Sequence, residues 1–241
     1  MEYAVEARAL TKKFEAVTAV SGLDLQVKPG EIFGLVGPDG AGKTTTLRIL
    51  STAMEQTNGE AFVLGLNVKN QEEAIRDRIG YMPQRFSLYG DLSVQENIDF
   101  FADIYGVPRG EERQRKAEEL LKFTGMLQFT ARRAAKLSGG MYKKLALACM
   151  LIHTPEVLFL DEPTLGVDPI SRREFWRILY GLKGVTIIVS TPYMDEAERC
   201  NRIGLVRDGK LLACDTPEEI KKRAGAKKLE EAFISLVENK A

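Results

Sequence analysis

The sequence predicts an α/β fold with a mainly parallel sheet, an N-terminal antiparallel β-subdomain and an inserted α-helical subdomain. Three observations carry this. Short runs rich in Val, Ile and Leu alternate with amphipathic helical stretches, as in a parallel sheet covered on both faces. The first forty residues read as shorter strands with a turn signal. Between about Gln84 and Ile152 the strand signal gives way to helical periodicity.

The early strands are expected at Val5 to Leu10 and Leu23 to Val27, followed by the Pro29-Gly30 turn. The buried strands of the parallel sheet are expected at Ile32 to Val36, Val157 to Leu160, Val185 to Ser190 and Arg202 to Arg207. In the helical insertion, Ile98, Phe101, Ala102 and Tyr105 mark one apolar face, and Leu120, Leu121 and Phe123 another. After Asp215 come two polar helical stretches. The last places Leu229, Phe233, Leu236 and Val237 on one side, and Lys227, Lys228, Glu230 and Glu231 on a solvated one. The expected organisation is one domain over 1–241: a core at about 1–83 and 153–215, the helical subdomain at about 84–152, and terminal helices at 216–241.

Charge and length exclude several function classes. Lys plus Arg equals Asp plus Glu at 34 each, so no global field favours nucleic acid. The longest apolar run, Leu145 to Ile152, falls well short of the roughly 20 residues of a membrane-spanning helix. The N-terminus carries Glu2 and Glu6 and no apolar stretch of signal-peptide length, so no export signal is expected. Cys149, Cys200 and Cys214 lack metal-ligand spacing and read as buried thiols.

Gly37-Pro38-Asp39-Gly40-Ala41-Gly42-Lys43-Thr44 fits the G-x-x-x-x-G-K-[ST] pattern between a predicted strand and a predicted helix over Thr45 to Ala53. Glycines let successive backbone N–H groups curl towards phosphate oxygens, and the helix start adds a favourable dipole. Lys43 would reach the β- and γ-phosphates, and the Thr44 hydroxyl would ligate Mg²⁺. Asp161 and Glu162 end a buried strand, at the sheet edge where α/β folds gather ligands. Alone, such a pair often caps the next helix. Beside residues 37 to 44, Asp161 is placed to hold Mg²⁺ and Glu162 to polarise an attacking water.

Leu137-Ser138-Gly139-Gly140-Met141, with Ser138 23 residues before Asp161, resembles the signature sequence of ATP-binding cassette (ABC) proteins. Taken alone it is an ordinary helix N-cap. The resemblance spans the chain and implies a P-loop NTPase core that binds ATP and Mg²⁺ and hydrolyses ATP to drive transport. Ser138, Gly139 and Gly140 would then form a second anion-binding helix start, capping the γ-phosphate held by a partner cassette.

The resemblance carries further residues. Gln84 looks like the glutamine that contacts Mg²⁺ and links core to insertion, and Phe14 is placed like the aromatic that stacks on adenine. Asp168 resembles an aspartate at the cassette interface. Thr45 belongs to the phosphate loop. Gly80-Tyr81-Met82-Pro83-Gln84, the stretch from Leu88 to Asn97, and Asp168-Pro169-Ile170-Ser171-Arg172-Arg173 are similar to the drug-exporter branch, especially bacterial exporters with two cassettes in one polypeptide. This implies a second cassette, identical or not, transmembrane permease domains, and a peripheral place on the cytoplasmic face of the cell membrane. Phe86, Leu88 and Tyr89 are the expected contacts for a membrane-domain helix.

One departure stands out. In Val189-Ser190-Thr191-Pro192-Tyr193-Met194-Asp195-Glu196, Pro192 occupies the position of a family histidine that contacts the γ-phosphate, and proline offers neither side-chain donor nor N–H. The single histidine, His153, reads as structural. Losing one preorganised donor costs on the order of 3 kcal/mol in the transition state. The expectation is a site that binds ATP yet turns it over slowly, serving an unlike partner. A soluble cassette ATPase and a non-catalytic nucleotide sensor remain the alternatives.

Overall fold

The computed structural model describes residues 2–85 and 88–238. Its chain starts with β1 (Val5–Phe14) and β2 (Val17–Val27), an antiparallel pair with a shifting register from Ala7 onwards. Both strands run further towards their shared turn than the sequence suggested, because exposed polar residues such as Lys12, Lys13 and Thr18 continue the ladder without continuing the apolar pattern. There follow β3 (Ile32–Val36), α1 (Lys43–Leu50), β4 (Asn58–Val63), β5 (Leu66–Asn67), α2 (Glu72–Arg76) and β6 (Ile79–Met82). The helical region holds α3 (Val94–Ile104), α4 (Glu111–Phe123) and α5 (Gly139–Leu151), with short 3₁₀ turns at Leu127–Phe129 and Ala134–Lys136. The chain closes with β7 (Val157–Asp161), α6 (Pro169–Gly181), β8 (Thr186–Thr191), α7 (Met194–Ala197), β9 (Arg202–Arg207), β10 (Lys210–Asp215), α8 (Pro217–Arg223) and α9 (Leu229–Glu238).

These strands make two sheets. The antiparallel one has the order β2-β1-β4-β5 and the other β10-β9-β3-β8-β7-β6, parallel except for the β9–β10 pair. Strands β4 and β10 carry no strong apolar alternation and were not expected from sequence. The β9–β10 hairpin turns on Asp208-Gly209, both with positive φ, the turn chemistry that right-handed strand twist favours.

Every residue of β3, β7 and β8 is buried, as expected of central strands covered on both faces. Their alternation splits the core. Phe33, Leu35, Phe159 and Ile188 pack with α1 and the antiparallel sheet, whereas Val36, Leu158, Leu160 and Ile187 pack with α5, α6, α8 and α9. A third cluster, including Leu88, Val94, Ile98, Leu121, Leu145 and Cys149, builds the helical region. The apolar run Leu145 to Ile152 is thus a helix buried on all sides, and no helix among the described residues is long and apolar enough to cross a membrane.

Several expectations about surfaces change. Phe123, placed by periodicity on an apolar face, is 42% exposed beyond the end of the packed stripe. Leu88 is buried in the helical core and offers no docking contact, whereas Tyr89 is half exposed; Phe86 lies outside the described residues. Cys149 and Cys200 are buried as expected, with burial pushing Cys200 up to about 12, but Cys214 is only partly covered.

Candidate functional site

At the carboxyl ends of β3 and β7 the chain encloses a cavity of about 440 Å³ lined by Ala19, Asp39, Gly40, Ala41, Gly42, Lys43, Thr44, Thr45, Gln84 and Glu162. A larger one, about 720 Å³, lies between α3 and α4 among Asp99, Asp103, Arg109 and Arg113. Those charges pair with one another: the buried Arg113 guanidinium bonds the Asp103 carboxylate and the Asp99 carbonyl. The smaller cavity gathers the chemistry, because there the strand ends, the loop and the helix start converge.

Helix α1 begins without a side-chain cap. Its N-cap, Gly42, has φ 97°, and a Cβ there would stand 2.3 Å from the Ala19 carbonyl oxygen, so only glycine fits. Ser93, Ser138, Asp168 and Thr216 cap four other helices with their own oxygens. At α1 the first N–H groups and the dipole's positive end are left to an anion. The Lys43 side chain, 3% exposed, curls back so that Nζ donates to the carbonyls of Gly37 at 2.8 Å and Pro38 at 3.0 Å. It also lies 3.3 Å from Glu162 Oε1.

The two carboxylates diverge because successive side chains at a strand end point to opposite faces. Asp161 Oδ1 accepts from Thr44 Oγ1 at 3.0 Å and from Ser190 Oγ at 2.6 Å, while its buried Oδ2 has no partner. A buried carboxylate oxygen without a donor is costly unless it meets a cation. Beside the Thr44 hydroxyl, it fits Mg²⁺, which takes one or two protein oxygens and fills its shell with water and phosphate.

Glu162, 6% exposed, has φ 46°, a conformation that costs about 1–3 kcal/mol for a non-glycine residue and recurs at functional sites. Its N–H donates to the Ser190 Oγ at 3.0 Å and to the Ser190 carbonyl at 3.1 Å, which hold the strained turn. Its Oε2 accepts from Gln84 Nε2 at 2.9 Å. Ser190 thus braces the Asp161 carboxylate and the Glu162 backbone, a role hidden from sequence because β7 and β8 become neighbours only in the fold.

The other predicted residues lie apart. Phe14, 43% exposed at the end of β1, sits under the Lys12 ammonium at 5.1 Å and does not line the cavity. Ser138 and Gly139 are exposed at the start of α5, and Gly140 is buried. Asp168 caps α6, accepting from the N–H groups of Ile170 and Ser171 at 3.0 Å each. Its hydrogen bonds to Ser171 hold its carboxyl below the usual range.

Pro192 leaves β8 just before a buried polar knot. There Glu196 accepts from Thr191 Oγ1 at 2.7 Å and from Thr164 Oγ1, with Arg172 Nε 3.6 Å away. His153 stands elsewhere, stacked on Tyr105 with ring centroids 3.8 Å apart and Nε2 2.9 Å from the Ile79 carbonyl.

Residues 20–165 match the model of the ABC transporter family. The chain belongs to that family. It is an ATP-binding cassette, and ATP hydrolysis is the chemistry such cassettes perform. Over 98% of its length it is 44% identical to the "Probable multidrug ABC transporter ATP-binding protein YbhF" of Escherichia coli, of which it spans 42%. It is 39% identical over 95% of its length to a daunorubicin resistance ATP-binding protein of Streptomyces coeruleorubidus, covering 71% of that chain. Among solved structures, an ATP-binding subunit of an ABC transporter superposes with a TM-score of 0.86 at 27% identity, covering 97% of this chain and 99% of that one. A dimeric ATP-binding cassette in a post-hydrolysis state with ADP and phosphate gives 0.80 at 27% identity, over 88% of this chain and 98% of that one.

Proposed function

We propose that this cassette is the motor of an exporter of drug-like or other hydrophobic compounds, docked on transmembrane partners at the cytoplasmic face. Two cassettes, identical or non-identical and in either case open to sharing one polypeptide, would associate head to tail with ATP between the phosphate loop of one and the Ser138 helix start of the other. The observation that carries the reading is the convergence of Lys43, Thr44, Gln84 and Glu162 on one small cavity, with Asp161 hydrogen-bonded to Thr44. The names of the multidrug and daunorubicin-resistance relatives support the export branch.

In this reading each residue is assigned a task. The loop from Gly37 to Thr45 receives the phosphates, with Lys43 exchanging its loop carbonyls for phosphate oxygens. Thr44, Gln84 and Asp161 would hold Mg²⁺. Bound there, the metal neutralises developing charge on the phosphates. Glu162 orients the attacking water and accepts its proton; the Gln84 and Lys43 contacts keep its carboxylate facing the cavity. Ser138, Gly139 and Gly140 reach the partner's γ-phosphate, Asp168 lies at the interface, and Phe14 stacks on adenine. Loss of the γ-phosphate removes the bridge, so the pair opens and the helical regions swing apart.

Pro192 favours a second reading within this one: the chain's own site binds ATP and hydrolyses it slowly while its Ser138 start serves a faster partner.

Glu162→Gln tests the reading. With ATP and Mg²⁺ this variant should form a dimer on size-exclusion chromatography with light scattering, and its turnover should fall by about 10²–10⁴-fold. A monomer in saturating ATP would defeat the sandwich; unchanged turnover would remove Glu162 from the chemistry.

A further inference from the structure

The first turn of α5 grips the segment that carries Gln84 at two points. The Leu88 N–H donates to Tyr142 Oη at 2.6 Å, and Lys143 Nζ donates to the Gln84 carbonyl at 3.2 Å. These adjacent residues begin one helical turn after Ser138, whose carbonyl accepts the Tyr142 N–H at 2.8 Å. Beyond them α5 is buried from Leu145 to Leu151, so its start moves as part of a packed rod.

From Gln84 the connection continues through its own side chain. Nε2 donates to Glu162 Oε2, and Glu162 Oε1 faces Lys43. Lys143 bonds neither carboxylate, although both lie close enough to favour its charge against the burial that lowers its pKa. Its recorded acceptor is a backbone carbonyl. That is the contact of a tether: an ammonium in a half-buried place, joined to the residue whose side chain positions the carboxylate.

We propose that Tyr142 and Lys143 are positioning residues that carry the state of the helix start at Ser138 to the Gln84–Glu162 contact in the chain's own phosphate site. A shift of α5 pulls the Gln84 carbonyl and the Leu88 N–H together, and the Gln84 side chain must follow. Occupancy of the partner's ATP against Ser138 then sets the orientation of Glu162 across the same molecule. This coupling rests on the head-to-tail reading of the preceding subsection.

The test compares Lys143→Met, Tyr142→Phe and Lys143→Arg in the whole chain. Measurements are the affinity for a fluorescent ATP analogue, kcat, and the Hill coefficient for ATP. Lys143→Met and Tyr142→Phe should bind the analogue as the parent does, with kcat reduced about fivefold or more and the Hill coefficient drawn towards one, within the range of coupling between sites. Lys143→Arg, which keeps a cationic donor, should retain most of both. An unchanged kcat and Hill coefficient in Lys143→Met would overturn the tether, as would affinity and kcat falling in proportion.

Glu162→Gln with ATP separates the two levels. If that variant dimerises while Lys143→Met keeps the parent's kinetics, the tether alone fails. If it stays monomeric, the sandwich fails and the tether with it.

Discussion

Two helix starts in this cassette contain glycine, and they are finished differently. At α1 the cap is a left-handed glycine with no side-chain oxygen, Lys43 is almost wholly buried, and Gln84 and Glu162 close the cavity. At α5 Ser138 caps its own helix, accepting from the Met141 N–H at 3.4 Å, and stands exposed beside Gly139. A Cβ on Gly140 would meet Ser171 at 2.5 Å, whereas one on Gly139 would meet nothing within 4 Å. So Gly140 is explained by the close approach of α6, and Gly139 faces open space. One start is walled by its own chain; the other has a wall on one side only, the shape a second molecule would complete.

The largest effect should come from the walled site. Lys43→Met removes the cation that loop carbonyls and Glu162 now share, and leaves Glu162 buried with Gln84 alone. Turnover should drop by about 10²–10³-fold, the loss expected for one preorganised donor, with weaker ATP binding besides. Single-turnover hydrolysis and equilibrium binding measure the two parts. Normal turnover would mean that the buried ammonium serves only to hold the loop.

Pro192→His, just after the end of β8, should act in the opposite direction. If the site is complete apart from one donor, restoring an imidazole should raise turnover tenfold or more. The surroundings favour a clean result, because Thr191 and Glu196 on either side are locked to each other and to Thr164. No gain would show that the switch segment is held out of reach, and would point to the Glu196 knot as the reason.

Ser138→Ala sharpens the contrast further. It deletes a cap at an exposed start, so the effect on monomeric ATP affinity should be nil. Turnover should fall roughly tenfold, the scale of one hydrogen bond to a charged group. A loss of affinity in dilute monomer would break the distinction between the complete site and the half site.

How much of this was legible beforehand follows the same divide. The loop over Gly37 to Thr44 and the pair at Asp161 and Glu162 are contiguous, and contiguity is what sequence patterns record. The buried strands were visible because both faces are apolar; β3 and β9 fall where the composition put them. Strands β4 and β10 were not, since strands left partly exposed carry mixed residues, whether inside the antiparallel sheet like β4 or at an edge like β10, although Asp208-Gly209 was an available hairpin signal. Ser190, Tyr142 and Lys143 act across elements that only folding brings together.

The smallest effect concerns the one histidine, and it checks that neither anion site depends on it. His153 lies between β6 and α3, and burial holds its pKa below the usual 6.5, with Lys116 pushing the same way and Asp77 and the Ile79 carbonyl opposing. With the proton on Nε2 donated to Ile79, protonation would add an N–H at Nδ1, which is buried with no partner. The unfolded chain therefore binds the proton more readily than the native one. Stability from this residue is complete above about pH 6.5 and declines as pH falls through that value towards the lower native pKa. Thermal unfolding between pH 7.5 and 5.5 should show a falling Tm that His153→Phe, which keeps the ring stacked on Tyr105, flattens. Turnover corrected for folded protein should show no step tied to His153, because its contacts are with Tyr105 and Ile79 and neither lines the phosphate cavity. A kinetic step below pH 6.5 that vanishes in His153→Phe would instead connect the β6–α3 boundary to Gln84, two residues beyond the end of β6.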